Sequence, residues 1–147
     1  MSRVQLALNV ADVDEAVEFY SKLLGAEPAK RRPGYANFAV ADPPLKLVLV
    51  AGSGEPGTLN HLGVEVESTD EVGAATRRLA AEDLETRTED GVDCCYAVQD
   101  KVWVTGPGGE RWEVYTVLAD SPATDERVEG LRVGAAAPAA DTLGCCG

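Results

Sequence analysis

Hydrophobic residues alternate with polar or small ones at the start of the chain, at Val4, Leu6, Leu8 and Val10. Period two over this length predicts a strand with one buried face. From Val13 the spacing changes to Val13, Val17, Tyr20 and Leu24, one stripe of a helix, with Asp12 in front as a capping residue. The same succession returns in the second half: Leu62, Val64 and Val66 alternate, Ser68 caps, and Val72, Ala75 and Leu79 make the stripe. QLALNVADVDEAVEFYSKLL (5–24) lies over HLGVEVESTDEVGAATRRLA (61–80) without a gap, Leu6 on Leu62, Val10 on Val66 and Leu23 on Leu79. Such internal repetition means two copies of one supersecondary unit.

Three short strands are expected after each helix. In the first copy they fall at 26–31, 35–41 and 45–51, separated by Pro33-Gly34 and Pro43-Pro44. In the second they fall at 84–89, 101–105 and 110–117, with GPGG (106–109) as the last turn. The predicted fold class is therefore α+β, two tandem βαβββ modules at about 3–51 and 59–118 in one domain, 1–118. AGSGEPGT (51–58) is the linker. Beyond Leu118 the chain turns to Ala, Pro, Gly and Asp and loses periodicity, so 119–147 reads as a flexible tail ending in LGCCG.

Composition narrows the partners. The 147 residues suit one domain with a substantial core. Thirteen Lys and Arg against 25 Asp and Glu give a net charge of −12, which argues against nucleic acid or an anionic membrane as partner. MSRVQLALNV lacks the apolar stretch of a signal peptide, and no run approaches the roughly 18 apolar residues of a membrane span. A cytoplasmic location is expected.

Alternation also points at chemistry. With Leu6, Leu8 and Val10 toward the helices, Gln5, Ala7 and Asn9 face the other way, and so do His61, Gly63 and Glu65 in the matching strand. In ERWEVYTV, Trp112 and Val114 turn to the core while Glu113 and Tyr115 join the opposite face. A pseudo-twofold relation of the modules brings Gln5, His61 (the single histidine) and Glu113 together. Oxygen, nitrogen and carboxylate donors at this count suit a divalent transition metal with open positions. Asn60, Asn9 and Tyr115 are candidates for the layer behind them.

All four cysteines come as adjacent pairs, Cys94–Cys95 and Cys145–Cys146. In a reducing compartment they are expected as thiols. Cys94–Cys95 reads as an inert doublet, a strained redox pair or a two-thiol claw for a soft atom. Neighbours on a strand face opposite ways, so a claw requires the backbone to leave extended form; Gly91, in an acidic loop, is the expected source of that freedom.

Paired βαβββ modules with a first-strand ligand, NHLGVEVES in the second module and RWEVYT at the end resemble the vicinal oxygen chelate superfamily of glyoxalases, extradiol dioxygenases and bleomycin-binding proteins. The resemblance covers about residues 3–118 and implies an open barrel. DLETRTEDGVDCCYAVQDKVWVTGPGGERWEVY further resembles the ArsI carbon–arsenic lyases and the related cadmium-induced CadI proteins. That resemblance implies Gln5, His61 and Glu113 as ligands of a non-haem Fe(II) that uses dioxygen. It implies Cys94 and Cys95 as the site for a trivalent organoarsenical such as methylarsonous acid or a trivalent aromatic arsenical. Tyr96, Val98 and Trp103 are candidates for shaping the space around its organic group. The implied reaction removes that group and releases arsenite. The alternatives are a CadI-like thiol metal binder without catalysis, and a glyoxalase-type isomerase, which needs a fourth protein ligand that LKLVLVA (45–51) does not offer. No role is transferred to Cys145–Cys146.

Overall fold

The computed structural model describes residues 2–120. The first module runs β1 (Arg3–Val10), α1 (Val13–Leu24), β2 (Lys30–Arg32), β3 (Tyr35–Val40) and β4 (Leu45–Ala51). The second runs β5 (Leu59–Glu65), α2 (Thr69–Ala81), β6 (Thr86–Cys94), β7 (Ala97–Thr105) and β8 (Arg111–Asp120). Both helices start where the capping pattern predicts. The Asp12 carboxylate accepts from the Glu15 amide at 3.1 Å, and the Ser68 hydroxyl accepts from the Glu71 amide at 3.3 Å. α1 ends on Gly25 in the left-handed region, a backbone conformation that favours glycine.

The eight strands form one sheet in the order β2-β3-β4-β1-β5-β8-β7-β6, curled into a half-barrel with the helices outside. Within each module the first and last strands run parallel, β1 with β4 and β5 with β8. The modules join where β1 meets β5 antiparallel. The two tandem modules are thus present, with shifted edges. β2 is shorter than expected, while β6 and β7 extend until only a two-residue turn separates them. β8 continues to Asp120, two positions into the stretch read as tail. The rest of that stretch, Cys145–Cys146 included, lies outside the described residues.

One core fills the space between α1 and the outer face of the first module. Phe38, Leu49 and Ala36 are fully buried there with Val17, Val40 and Leu47, and Leu6, Leu8, Val10 and Tyr20 pack against them. α2 covers the second module through Val72 and Ala75. The Thr69 hydroxyl donates to Asp100 on β7 at 2.6 Å, and the other Asp100 oxygen accepts from the Gly91 amide at 2.7 Å. Outward-facing apolar residues thus fix the sheet, and its inner face carries polar side chains beside a smaller apolar cluster of Ala7, Tyr35, Val48 and Val50. Among the described residues no helix is long and apolar enough to cross a membrane. Leu49→Ala should lower unfolding free energy by about 2–5 kcal/mol, measured by urea denaturation.

Candidate functional site

Strand register decides which inner-face residues meet. Gln5 pairs with Gly63 across β1–β5, and Gly63 pairs with Glu113 across β5–β8. Ala7 pairs with His61, one step along the same face. Gly63 therefore sits between two long side chains and leaves them room. A Cβ there would come within 3.1 Å of both Gln5 Nε2 and Glu113 Cγ.

The three side chains converge in the interior. Gln5 Nε2 lies 2.8 Å from Glu113 Oε1 and 3.2 Å from His61 Nε2, and His61 Nε2 lies 3.3 Å from Glu113 Oε1. All three are about 97% buried. These are hydrogen-bond separations through the Gln5 Nε2. Donor atoms about 2.1 Å from a metal and at right angles to each other also stand about 3 Å apart, so side chains at these three positions are close enough to share one ion. Among the described residues no three of His, Cys, Asp and Glu gather as a ligand cluster; here the third member is an amide. Imidazole, carboxylate and amide are a donor set that a divalent metal accepts, provided the Gln5 amide turns its oxygen inward.

Behind the triangle, each member is held by its other end. His61 Nδ1 lies 2.7 Å from Asn60 Oδ1. A carbonyl oxygen there requires the proton on Nδ1, which leaves the Nε2 lone pair facing the site. Asn60 Nδ2 donates to Asn9 Oδ1 at 3.0 Å, and Asn9 Nδ2 to the Thr58 hydroxyl at 3.0 Å. Glu113 Oε2 accepts from Lys101 Nζ at 2.8 Å, an ammonium only 1% exposed. Burial by itself would raise the Glu113 carboxyl; the charge and hydrogen bond of Lys101 outweigh it and hold it below the usual carboxylate range. The Tyr115 phenol is pushed far upward, by burial first and then by the Glu65 and Glu113 charges, and keeps its proton. Asn60 touches His61 and Tyr115 touches Gln5, while Asn9 stands one step further out, against Asn60.

The cysteines occupy the turn of the β6–β7 hairpin. Cys94 pairs with Ala97, leaving Cys95 and Tyr96 as the loop, with φ of 52° and 63°. Two positive φ values make the tight turn whose twist matches a hairpin. Such turns favour Asn and Gly, and left-handed backbone costs about 1–2 kcal/mol at other residues. Here that cost sits on Cys and Tyr. Leaving extended form at Cys95 defeats the alternation rule and brings the Sγ atoms to 3.4 Å. The source of freedom is thus the doublet itself. Gly91, expected to supply it, lies inside β6 at a bulge between Glu89 and Val92, with φ of 60°. Neither cysteine is a free thiol in this structure, contrary to the expectation from compartment, and 3.4 Å is too long for a bond between the two. Redox state follows the surroundings, which the fold does not dictate.

Lys101 joins the two groups, because its Nζ lies 3.6 Å from Cys94 Sγ as well as 2.8 Å from Glu113. Period two along Gln99, Lys101 and Trp103 places this lysine on the inner face, a signal the sequence carried. The adjoining cavity, about 330 Å³, is lined by Gln5, His61, Glu113, Lys101 and Cys95 together with Tyr35. Tyr96 packs on Tyr35 with ring centroids 5.4 Å apart. Trp103 stands edge-on to His61 at 5.4 Å and lines a second hollow with Arg87 and Arg111. Val98 pairs with Asp93 and is outside the cavity lining.

An antiparallel junction of two βαβββ modules, with polar side chains gathered on the concave side, defines a class of paired-module half-barrel proteins. The chain belongs to the glyoxalase/bleomycin resistance protein/dioxygenase superfamily, whose profile matches residues 3–114. It is 58% identical to the trivalent organoarsenical cleaving enzyme of Thermomonospora curvata, over 99% of this chain and all of that one. It is 69% identical to cadmium-induced protein CadI of Mycobacterium bovis, over 82% of this chain and 80% of the relative. The fold is also that of the Mn(II)-bound glyoxalase from Novosphingobium aromaticivorans, with a TM-score of 0.59 at 20% identity; the match covers 82% of this chain and 42% of that one.

Lys101→Met should destabilise the protein at neutral pH by about 3–5 kcal/mol, since it strands a buried carboxylate. Glu113's depressed pKa contributes stability that is present above its ordinary value of 4.5 and lost as pH falls toward about 2. Urea midpoints measured from pH 7 downward should therefore fall less steeply with acid in Lys101→Met than in the parent.

Proposed function

We propose that this protein is an Fe(II)- and oxygen-dependent lyase that removes the organic group from trivalent organoarsenicals and releases arsenite. The observation that carries the reading is the pair of sulfurs, 3.4 Å apart, reached by the same ammonium that holds Glu113. The relative named a trivalent organoarsenical cleaving enzyme, matched over its full length, supports it.

Once reduced, Cys94 and Cys95 bind arsenic through its two exchangeable positions, soft sulfur on a soft centre, and leave the As–C bond free. Lys101 stabilises the Cys94 thiolate by charge, offsetting the acidic residues around it. Two sulfur bonds fix the substrate by proximity, so the organic group needs few contacts of its own. Methylarsonous acid and trivalent aromatic arsenicals both fit that logic. Tyr35 and His61 line the space for the group, with Tyr96 and Trp103 packed behind them, and Val98 stiffens the hairpin through its Asp93 pairing. Gln5, His61 and Glu113 hold the metal, and Fe(II) in that position supplies dioxygen activation. Val48, paired with Ala7 as Glu113 is with Gly63, supplies no fourth ligand, which disfavours a glyoxalase-type isomerase.

A thiol-based metal binder without turnover is the second reading, favoured by the identity to CadI. One experiment separates them. Reduced, anaerobic, Fe(II)-loaded protein should bind methylarsonous acid and yield arsenite when oxygen is admitted. Cys94→Ser and Cys95→Ser should each lose arsenical binding while keeping iron. Oxygen-independent binding without arsenite would favour the binder, and unchanged turnover in both serine variants would overturn the thiol anchor.

A further inference from the structure

Gln5 presents the wrong atom to the site. Its Nε2 occupies the inner vertex, donating one hydrogen to Glu113 Oε1 at 2.8 Å and the other toward His61 Nε2 at 3.2 Å. Its Oε1, the atom able to bind a metal, points outward to the Tyr115 hydroxyl at 2.6 Å. An amide nitrogen bearing two hydrogens has no lone pair to offer a cation.

The outward side shows how the amide is turned. Tyr115 Oη lies 2.6 Å from Gln5 Oε1 and 3.1 Å from Glu65 Oε2, two acceptors for one phenolic proton. Only one contact can hold that proton at a time. Glu65 is tied down by two cations, Arg3 at 2.7 Å to Oε1 and Lys46 at 2.9 Å to Oε2. Strand pairing fixes the neighbours: Glu65 lies opposite Arg3 and opposite Tyr115, and Gln5 opposite Lys46.

We propose that Tyr115 and Glu65 are positioning residues that make Gln5 an oxygen ligand, the Tyr115 hydroxyl swinging its hydrogen bond from Gln5 Oε1 to Glu65 Oε2 when the Gln5 amide turns over. A half-turn about the Gln5 Cγ–Cδ bond exchanges Oε1 and Nε2. Tyr115 then donates to Glu65 Oε2 and accepts from Gln5 Nε2, so the outer side of the amide keeps its partners. At the inner vertex the oxygen now faces outward-pointing lone pairs of His61 and Glu113, an arrangement tolerable only with a cation between them. Metal entry and amide orientation are thereby coupled, and the carboxylate of Glu65 sets which orientation the loaded site adopts. The inference rests on the metal-ligand reading of Gln5, His61 and Glu113, and goes beyond it by assigning residues that touch no metal.

The sign of the effect is testable. In Glu65→Gln the new amide keeps its oxygen on Arg3, and its NH2 takes the Oε2 place, turns Lys46 away and donates to Tyr115 Oη. The Tyr115 hydrogen bond is then forced onto Gln5 Oε1, locking the amide in the non-ligating orientation. Calorimetric titration of the anaerobic, reduced protein with Co(II) should show Glu65→Gln binding about 10–100-fold more weakly than the parent. Adding Tyr115→Phe to Glu65→Gln removes the lock and should recover part of that loss, a rescue that simple structural damage would not give. Urea midpoints of the same variants report folding separately. Equal Co(II) affinity in Glu65→Gln and the parent, or a double variant no better than Glu65→Gln, would overturn the relay while His61→Ala still abolishes binding. A parent protein that binds no Co(II) would overturn the ligand reading and the relay together.

Discussion

The structure turns on a carboxylate kept charged at the centre of a sheet. Glu113 is 3% exposed, and an isolated buried carboxylate would surrender its charge by taking up a proton. Here one oxygen faces Gln5 and His61 and the other takes the Lys101 ammonium, so the charge survives far below neutral pH. The Lys101 and Gly63 positions answer the same need: one supplies the counter-charge, the other leaves the space. Outer-face packing of Phe38, Leu49 and their neighbours holds the strands that keep these groups in register. The polar groups around Glu113 are matched to one another, while Gln99 Oε1 and Trp103 Nε1 on the same face are buried without a partner among the described residues.

The second constraint is the hairpin. Two residues with side chains in left-handed conformation are a local cost, held in place by long paired strands on both sides. Asp100 contributes by binding both Thr69 at the start of α2 and the Gly91 amide in the bulge. Tyr96 adds contacts to the first module, its carbonyl accepting from Lys30 and its ring resting on Tyr35. The turn that carries the cysteines is thus clamped by both halves of the sheet. The left-handed backbone falls on Cys95 and Tyr96 rather than on an Asn-Gly, and it turns the Cys95 sulfur toward that of Cys94.

Membership of a superfamily shared by glyoxalases, dioxygenases and bleomycin resistance proteins settles the scaffold and leaves the chemistry to the residues on it. The residues here combine hard and soft donors in one place: carboxylate, imidazole and amide on the central strands, sulfur on the hairpin. The chain is strongly acidic, yet the cavity lining includes Arg3, Lys30, Lys46 and Lys101. The positive lining keeps buried carboxylates ionised and places an ammonium beside Cys94.

The repeat of QLALNV and HLGVEV, with capping residues and helical stripes behind them, determined two βαβββ modules, because alternation and capping are local properties. It also placed Gln5, His61, Glu113 and Tyr115 on one face, since a strand's faces follow from period two alone. Only the tertiary structure decided which of them touch. Antiparallel joining of β1 to β5 and parallel pairing of β5 with β8 set Gly63 between Gln5 and Glu113, and no local pattern encodes strand partners. The hairpin's left-handed turn was equally hidden, because Cys and Tyr carry no preference for it; the pairing of β6 with β7 imposes it. The same pairing put Lys101 between sulfur and carboxylate, where distance rather than sequence spacing links the two halves of the site.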